Sequence, residues 1–419
     1  MKNIIKLFIV IIVAFAIIIS PVWIRTRTLK IRNATLDVSN IETVKAINKQ
    51  FKMVEVNKPN IPLTRGVFYD PYGDYLNYLH FNNDQQSWVL TITSLDGRIV
   101  RTIDLGAHKS GSSGRGKICF DKNTIYVGVD EMIIFIRRND YSVERIQLPP
   151  RKYDIKSDHI PNTDTSDSSI IDIEKVGKYI AISRNNANGI LLFDVDRRKF
   201  DEWKLPEEFG SVNKLIKFSE DILFVTNFYS GKGSYLIQDQ FGKLNLATRE
   251  FDIFSQPVQK LFVVENNVWG VDIKGNLFVL DNELRHIKTY NLGVFIVSGV
   301  VHSNGKIWFV GSDVDSIDGK PLLSTVSDDP PTDAVEVINL KTDKQILFIG
   351  CFDPTKEDLV KSYLPISKPM PVIGIHSPNI NLEKINGEFK SSIAIPTGII
   401  DAETHGLFLF ADKVFQINR

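Results

Sequence analysis

The side chains best suited to chemistry recur at matching places. An Asn or Asp closes an apolar run at Asn82, Asp130, Asn185, Asn227, Asp272, Asp313 and Asp412. Carboxylate and amide oxygens repeated in this way could ring a hard cation such as calcium, which takes oxygen ligands. The competing explanation is turn chemistry, because Asn and Asp bond their own backbone and tolerate left-handed φ where a strand ends.

A second set lies in irregular segments. The run Asp313-Val314-Asp315-Ser316-Ile317-Asp318-Gly319 has the residue types of a calcium loop, but its third Asp and its Gly each fall one place late for the EF-hand spacing. With Asp328, Asp329 and His376 added, Asp313, Asp315 and Asp318 form the candidate ligand-binding set. Asp154, Asp158, His159, Asp164 and Asp167 make another acidic patch, whose Ser and Thr content equally suits plain solvation. Gly111 to Lys117 is glycine-rich like an anion-binding loop. However, Ile118 stands where a phosphate loop needs Ser or Thr, and a strand follows where it needs a helix. Neither His376 nor His405 has a partner at metal-ligand spacing. No catalytic residue and no metal set are assigned, and no cofactor is expected, with a structural or axial calcium left open.

The elements that position these residues are short strands. Matching copies read TIYVGVD (Thr124 to Asp130), KYIAISRN (Lys178 to Asn185), DILFVTN (Asp221 to Asn227), VWGVD (Val268 to Asp272), KIWFVGSD (Lys306 to Asp313) and GLFLFAD (Gly406 to Asp412). Each is the second strand of a four-stranded unit bounded by turn residues. The pattern predicts an all-β protein, a β-propeller of seven blades over residues 51–419, with eight or six blades as alternatives. The fourth unit reads KLIKF, DILFVTN, SYLIQD and KLNLATREF, with Phe241-Gly242 taken as its hairpin turn. The sixth reads VSGVVHS, KIWFVGSD, AVEVINL and KQILFIG. The last unit has only three strands, so FKMVEVNKP (Phe51 to Pro59) is expected to supply the fourth and close the ring, which removes an open sheet edge.

Fifty basic residues balance fifty acidic ones, so no overall field draws nucleic acid, and none is expected as a partner. Cys119 and Cys351 fall in distant units, which excludes a disulfide framework; both are expected to be small buried hydrophobes. Leu7 to Ile24 is an apolar run broken only by Ser20 and Pro21 and preceded by Lys2 and Lys6. It reads as a transmembrane signal anchor within residues 1–30, in preference to a signal peptide cleaved at Ala14-Phe15-Ala16, and residues 31–50 read as a stalk with one short helix. A single-pass membrane protein with an extracytoplasmic propeller is expected, although Arg25, Arg27, Lys30 and Arg32 argue for the other orientation.

The stretch LFVTN (Leu223 to Asn227) resembles the strand motif of YVTN proteins, and residues 51–419 resemble the broad propeller superfamily of YVTN, NHL and streptogramin-lyase-like proteins. That resemblance implies the fold, an exported location and ligand binding at a blade face, and it carries no catalytic residue over.

In a propeller the connections from fourth to first strands and from second to third strands emerge on one face. The long irregular segments Ala107 to Gly116, Pro150 to Ser168, Ser312 to Asp333 and Cys351 to Ser392 are all of these two kinds. The second-to-third turns also lie away from the axis where a central cation would bind, which favours turn chemistry for the recurring Asn and Asp. The expected function is a membrane-tethered module that binds a protein or small ligand through the elaborated face. The alternative is a cation-dependent lyase or lactonase, which would need acidic or amide residues where the innermost strands start. Those starts are read as Gly66-Val67-Phe68, Lys117-Ile118-Cys119, Ser169-Ile170-Ile171, Lys214-Leu215-Ile216 and Lys260-Leu261-Phe262, so binding is preferred to catalysis.

Overall fold

The structure, a computed structural model, describes residues 29–34, 41–57, 59, 61, 64–82, 85–108, 116–154, 168–228, 240–255, 258, 260–272, 275–313, 316–317, 320–321, 337–338, 347–363, 372–373, 398–410 and 414–417. Seven antiparallel sheets form a seven-bladed propeller. From the inside outward, blade one is Thr64–Asp70, Tyr75–Asn82, Ser87–Thr93 and Ile99–Ala107; blade two is Gly116–Phe120, Thr124–Val129, Met132–Arg137 and Val143–Gln147. Blade three is Ile170–Val176, Tyr179–Arg184, Gly189–Asp194 and Lys199–Lys204; blade four is Ser211–Lys217, Ile222–Phe228, Phe241–Asn245 and Glu250–Phe254. Blade five is Lys260–Val264, Asn267–Val271, Leu277–Leu280 and His286–Asn291; blade six is Phe295–Ser303, Lys306–Ser312, Leu347–Asp353 and Asp358–Tyr363.

Blade seven closes the ring as expected. It is built from Gly398–Asp401, Leu407–Phe410, Val414–Ile417 and, antiparallel to the last of these, Met53–Val56. The core lies between blades. The second and third strands are continuous apolar runs because both of their faces meet a neighbouring sheet, as in Thr124–Val129 and Met132–Arg137. The fourth strand of blade two, Val143–Gln147, is mostly exposed.

The segment 31–50, expected to be a stalk, instead contributes described strands to a belt. Lys30–Ala34, Ile41–Thr43 and Lys45–Asn48 add as parallel fifth strands outside blades four, five and six. The belt has few apolar anchors: Val44 is buried in the core of blades five and six, while Ile41–Thr43 and Lys45–Asn48 are exposed throughout. Backbone pairing and ion pairs hold it, including Arg32 to Glu250 at 2.8 Å and Lys288 to Glu42 at 2.6 Å. The helix expected within this segment is absent among the described residues, because strand pairing satisfies the same backbone groups.

Blades one to four are tied at the rim by arginines. Arg145 donates from Nε to the Leu105 carbonyl at 2.9 Å, Arg198 pairs with Glu144, and Arg249 pairs with Asp201 at 3.2 Å while lying over the Trp203 ring. These side chains, together with register shifts in the pairing of Ile99–Ala107, blunt edges that would otherwise invite strand addition.

Two blades depart from the expected assignment. In blade four Phe241 and Gly242 lie within the third strand, and SYLIQD falls outside the described residues. Gly242 is a close-approach glycine and not a turn glycine: a Cβ there would sit 2.3 Å from the Phe251 ring. In blade six the third and fourth strands are Leu347–Asp353 and Asp358–Tyr363, so KQILFIG leads into the third strand and AVEVINL belongs to an insertion. The insertions therefore span 313–346 and 364–397. They touch each other, since Val337–Ile338 pairs antiparallel with Val372–Ile373.

Gly270 repeats the Gly242 arrangement more tightly, with a Cβ position 2.0 Å from the Phe278 ring. Gly270→Ala is expected to cost about 1–3 kcal/mol by overpacking, read as a lower denaturation midpoint. An unchanged midpoint would show that the ring swings aside freely.

No helix among the described residues is long and apolar enough to cross a membrane. That finding overturns the expectation of a single-pass membrane protein with an extracytoplasmic propeller. The run Leu7 to Ile24 itself lies outside the described residues.

Candidate functional site

The two faces of the ring differ. First-to-second and third-to-fourth connections are short turns such as Gly177-Lys178 and Asn304-Gly305. The long connections, 313–346 and 364–397 among them, leave from the other face as expected from the sequence, except that Cys351 to Tyr363, expected to be irregular, belongs to the strands of blade six.

On that face the recurring Asn and Asp residues act as local fasteners. Asn82 accepts from the backbone N–H of Gln85 at 3.3 Å, and Asn227 accepts from that of Gln240 at 3.1 Å. Asp272 accepts from both the backbone and the side-chain nitrogen of Asn276, at 2.9 and 2.8 Å. Asp130 is buried and lies 3.0 Å from Nδ1 of His108, whose ring packs edge-on against Phe81 and Trp88. This pair pins the connection between blades one and two to the corner of blade two. Asn185 is held through its backbone, with its carbonyl accepting from Arg151 at 2.7 Å. Turn and corner chemistry therefore accounts for the described members of the set, and Asp412 lies outside the described residues.

Of the candidate ligand-binding residues, only Asp313 is described. It is exposed and held by its own blade, accepting from Lys361 Nζ at 2.6 Å and from the Tyr363 hydroxyl. Asp315, Asp318, Asp328, Asp329 and His376 lie outside the described residues, as do Asp158, His159, Asp164 and Asp167. Asp154 pairs with Arg151 at 3.0 Å. Gly116 and Lys117 begin a strand. His405 is on the opposite face, where its Nε2 lies 2.5 Å from Asp74, a residue that also accepts from the Tyr69 hydroxyl at 2.7 Å.

Both cysteines are buried. Burial pushes the Cys351 thiol up to about 12 and the Cys119 thiol well above its usual range, so neither offers a thiolate for nucleophilic or metal chemistry near neutral pH. Among the described residues no group of three or more His, Cys, Asp and Glu side chains could hold a metal ion.

Polar residues do occur on the innermost strands, beyond the positions considered from the sequence. Asp172 is buried in Ile170–Val176, with Glu174 two places on. Blade four begins at Ser211, so the amide of Asn213 stands at its start; both of its side-chain polar atoms are buried without a partner. The available signal is the period-two alternation in Ile171-Asp172-Ile173-Glu174, which falls just past the strand start Ser169-Ile170-Ile171.

No family model matches the chain, and no curated protein matches it. Solved propellers do. The β-propeller domain of Cps50 (Swd1) from Myceliophteria thermophila superposes with a TM-score of 0.54 at 8% identity, covering 88% of this chain and 100% of that one. A chain of the mitotic checkpoint complex gives 0.52 at 7% identity, covering 88% and 94%. At such identities the likeness is one of fold alone, and it agrees with the seven sheets: the protein is a seven-bladed β-propeller. The finer resemblance to YVTN, NHL and streptogramin-lyase-like proteins has no family match behind it.

Proposed function

We propose that this propeller is a protein-binding module without catalysis, and that it engages its partner on the face bearing the long connections, in the sector of blades six and seven. The observation that carries this reading is the one-sided distribution of inserted chain. Segments 313–346 and 364–397 both leave blade six on the same face, the second leading on to blade seven, and are joined by the pairing of Val337–Ile338 with Val372–Ile373. The ring needs neither segment for closure, and ordering added chain costs entropy, so a role outside the ring is indicated. One solved propeller of this shape belongs to a multiprotein assembly, the mitotic checkpoint complex; that support is by analogy of fold.

The test is to replace 314–346 with a short turn and compare affinity captures with the intact protein. Thermal unfolding should stay within a few degrees while the partner is lost. Capture that persists unchanged, or a shortened protein that fails to fold, would make the insertion structural and sink the reading.

A further inference from the structure

The innermost strand of blade three places two carboxylates on one side. Beyond a register shift between Ile170 and Asp172 the pairing is regular, so Asp172 and Glu174 share a face. Asp172 reaches out of its own blade: Oδ2 accepts from the backbone N–H of Leu215, on the innermost strand of blade four, at 2.9 Å. Its Oδ1 accepts from the N–H of Ile173 at 3.1 Å. A carboxylate thus ties two blades together near the axis.

Glu174 stands beside that tie, half-buried, and among the described residues no cation pairs with it. Its Oε1 accepts from the N–H of Lys175 at 3.1 Å, while the Lys175 ammonium turns to the Gly177 carbonyl and Lys217 pairs with Glu220 at 2.5 Å. Titratable and charged groups on the elements packed against this strand are Lys117 and Cys119 of Gly116–Phe120, Tyr126 of Thr124–Val129, Tyr179 and Arg184 of Tyr179–Arg184, and Lys214 and Lys217 of Ser211–Lys217. Arg184 is taken up by Glu202, Tyr126 by Asp121, and burial keeps Cys119 neutral. Lys217 is the cation that acts on Glu174, and only at a distance.

We propose that the seam between blades three and four is a proton-controlled joint: protonated Glu174 keeps it shut, and loss of that proton places a second negative charge beside the Asp172 tie and lets the seam open. Burial first, and the charge of Asp172 second, push Glu174 up to about 8, with the Lys175 N–H and Lys217 offsetting part of the shift. The sign follows. A carboxyl raised from 4.5 to about 8 keeps its proton in the folded protein where an open seam would release it. Stability of the seam therefore falls as pH rises through that window and levels off above it.

Hydrogen exchange of the amides in Ile170–Val176 and Ser211–Lys217, corrected for the intrinsic pH dependence of exchange, reads the opening directly. In the intact protein the opening constant should rise by up to about tenfold per pH unit between pH 6 and 7.5 and flatten above 8. Innermost strands of blades five and six should show no such slope. Glu174→Gln cannot release a proton and should abolish the slope in blades three and four. In Asp172→Asn the rise should flatten at lower pH, because Glu174 loses its charged neighbour in the closed seam; this variant serves if Glu174→Gln does not fold. A slope retained in Glu174→Gln, an unshifted plateau in Asp172→Asn, or an equal slope in all blades would overturn the proposal.

Discussion

A variant lacking residues 1–57 is expected to lose cooperative unfolding, whereas one lacking only residues 1–48 should still melt as a single unit. The shorter deletion removes the belt and leaves the ring closed. The longer one also removes Met53–Val56, whose four backbone pairs with Val414–Ile417 seal blade seven. Phe51, Met53 and Val56 pack partly buried on the adjoining cores, with the Phe51 ring 5.1 Å from that of Trp308. At about 1 kcal/mol for each half-buried side chain, and a similar net amount for each lost hydrogen bond, the closing strand contributes roughly 5 kcal/mol. That is comparable to the roughly 5–15 kcal/mol by which folded domains are stable. Chemical denaturation followed by two probes decides the matter. Equal, sharp transitions in both variants would show that blade seven closes adequately with three strands.

The second large effect is expected at the corner of blade three. Arg184 and Glu202 pair at 2.5 Å with side chains 2% and 1% exposed. Arg184 also donates to the Pro149 carbonyl at 2.7 Å, and Glu202 accepts from the N–H of Lys152 at 3.0 Å. Those bonds draw the chain leaving blade two over the turn Asn185 to Asn188, where the Tyr153 carbonyl accepts from the Asn188 N–H at 3.0 Å. Glu202→Ala should cost about 3–5 kcal/mol, because it leaves a guanidinium buried without its counter-charge. The double variant Arg184→Met, Glu202→Leu should be markedly less damaging, since no uncompensated charge remains. Denaturation midpoints for the three proteins give the coupling. A single variant no worse than the double would show that water reaches the site.

The contrast between what could and could not be read beforehand has physical causes. Repeated second strands were plain because burial on both faces demands continuous apolar runs, as in Ile125-Tyr126-Val127. Closure by Met53–Val56 was readable because a ring cannot leave a three-stranded end exposed. The belt was not, because Ile41–Thr43 and Lys45–Asn48 are held by backbone hydrogen bonds that almost any sequence can make. Blade six was misassigned because AVEVINL alternates as a strand should, while the true third strand, Leu347–Asp353, contains Gly350, which lies against the Phe309 ring. The candidate acidic site rested on composition, and its one described member, Asp313, is engaged by Lys361 and Tyr363. Asp172 and Glu174 were visible as letters, but their importance comes from Leu215 in the next blade, a proximity no local pattern encodes.

Sealing blade seven with a strand that precedes blade one also sets the order in which the molecule can be completed. Met53–Val56 leaves the ribosome long before its partner Val414–Ile417 is translated. The belt strands likewise emerge before blades four, five and six exist to receive them. For most of translation the nascent chain therefore carries unpaired strands whose partners lie far away in sequence, a high contact order that slows folding and exposes sticky edges. A stalled or truncated product should consequently depend on holding chaperones far more than the finished ring does.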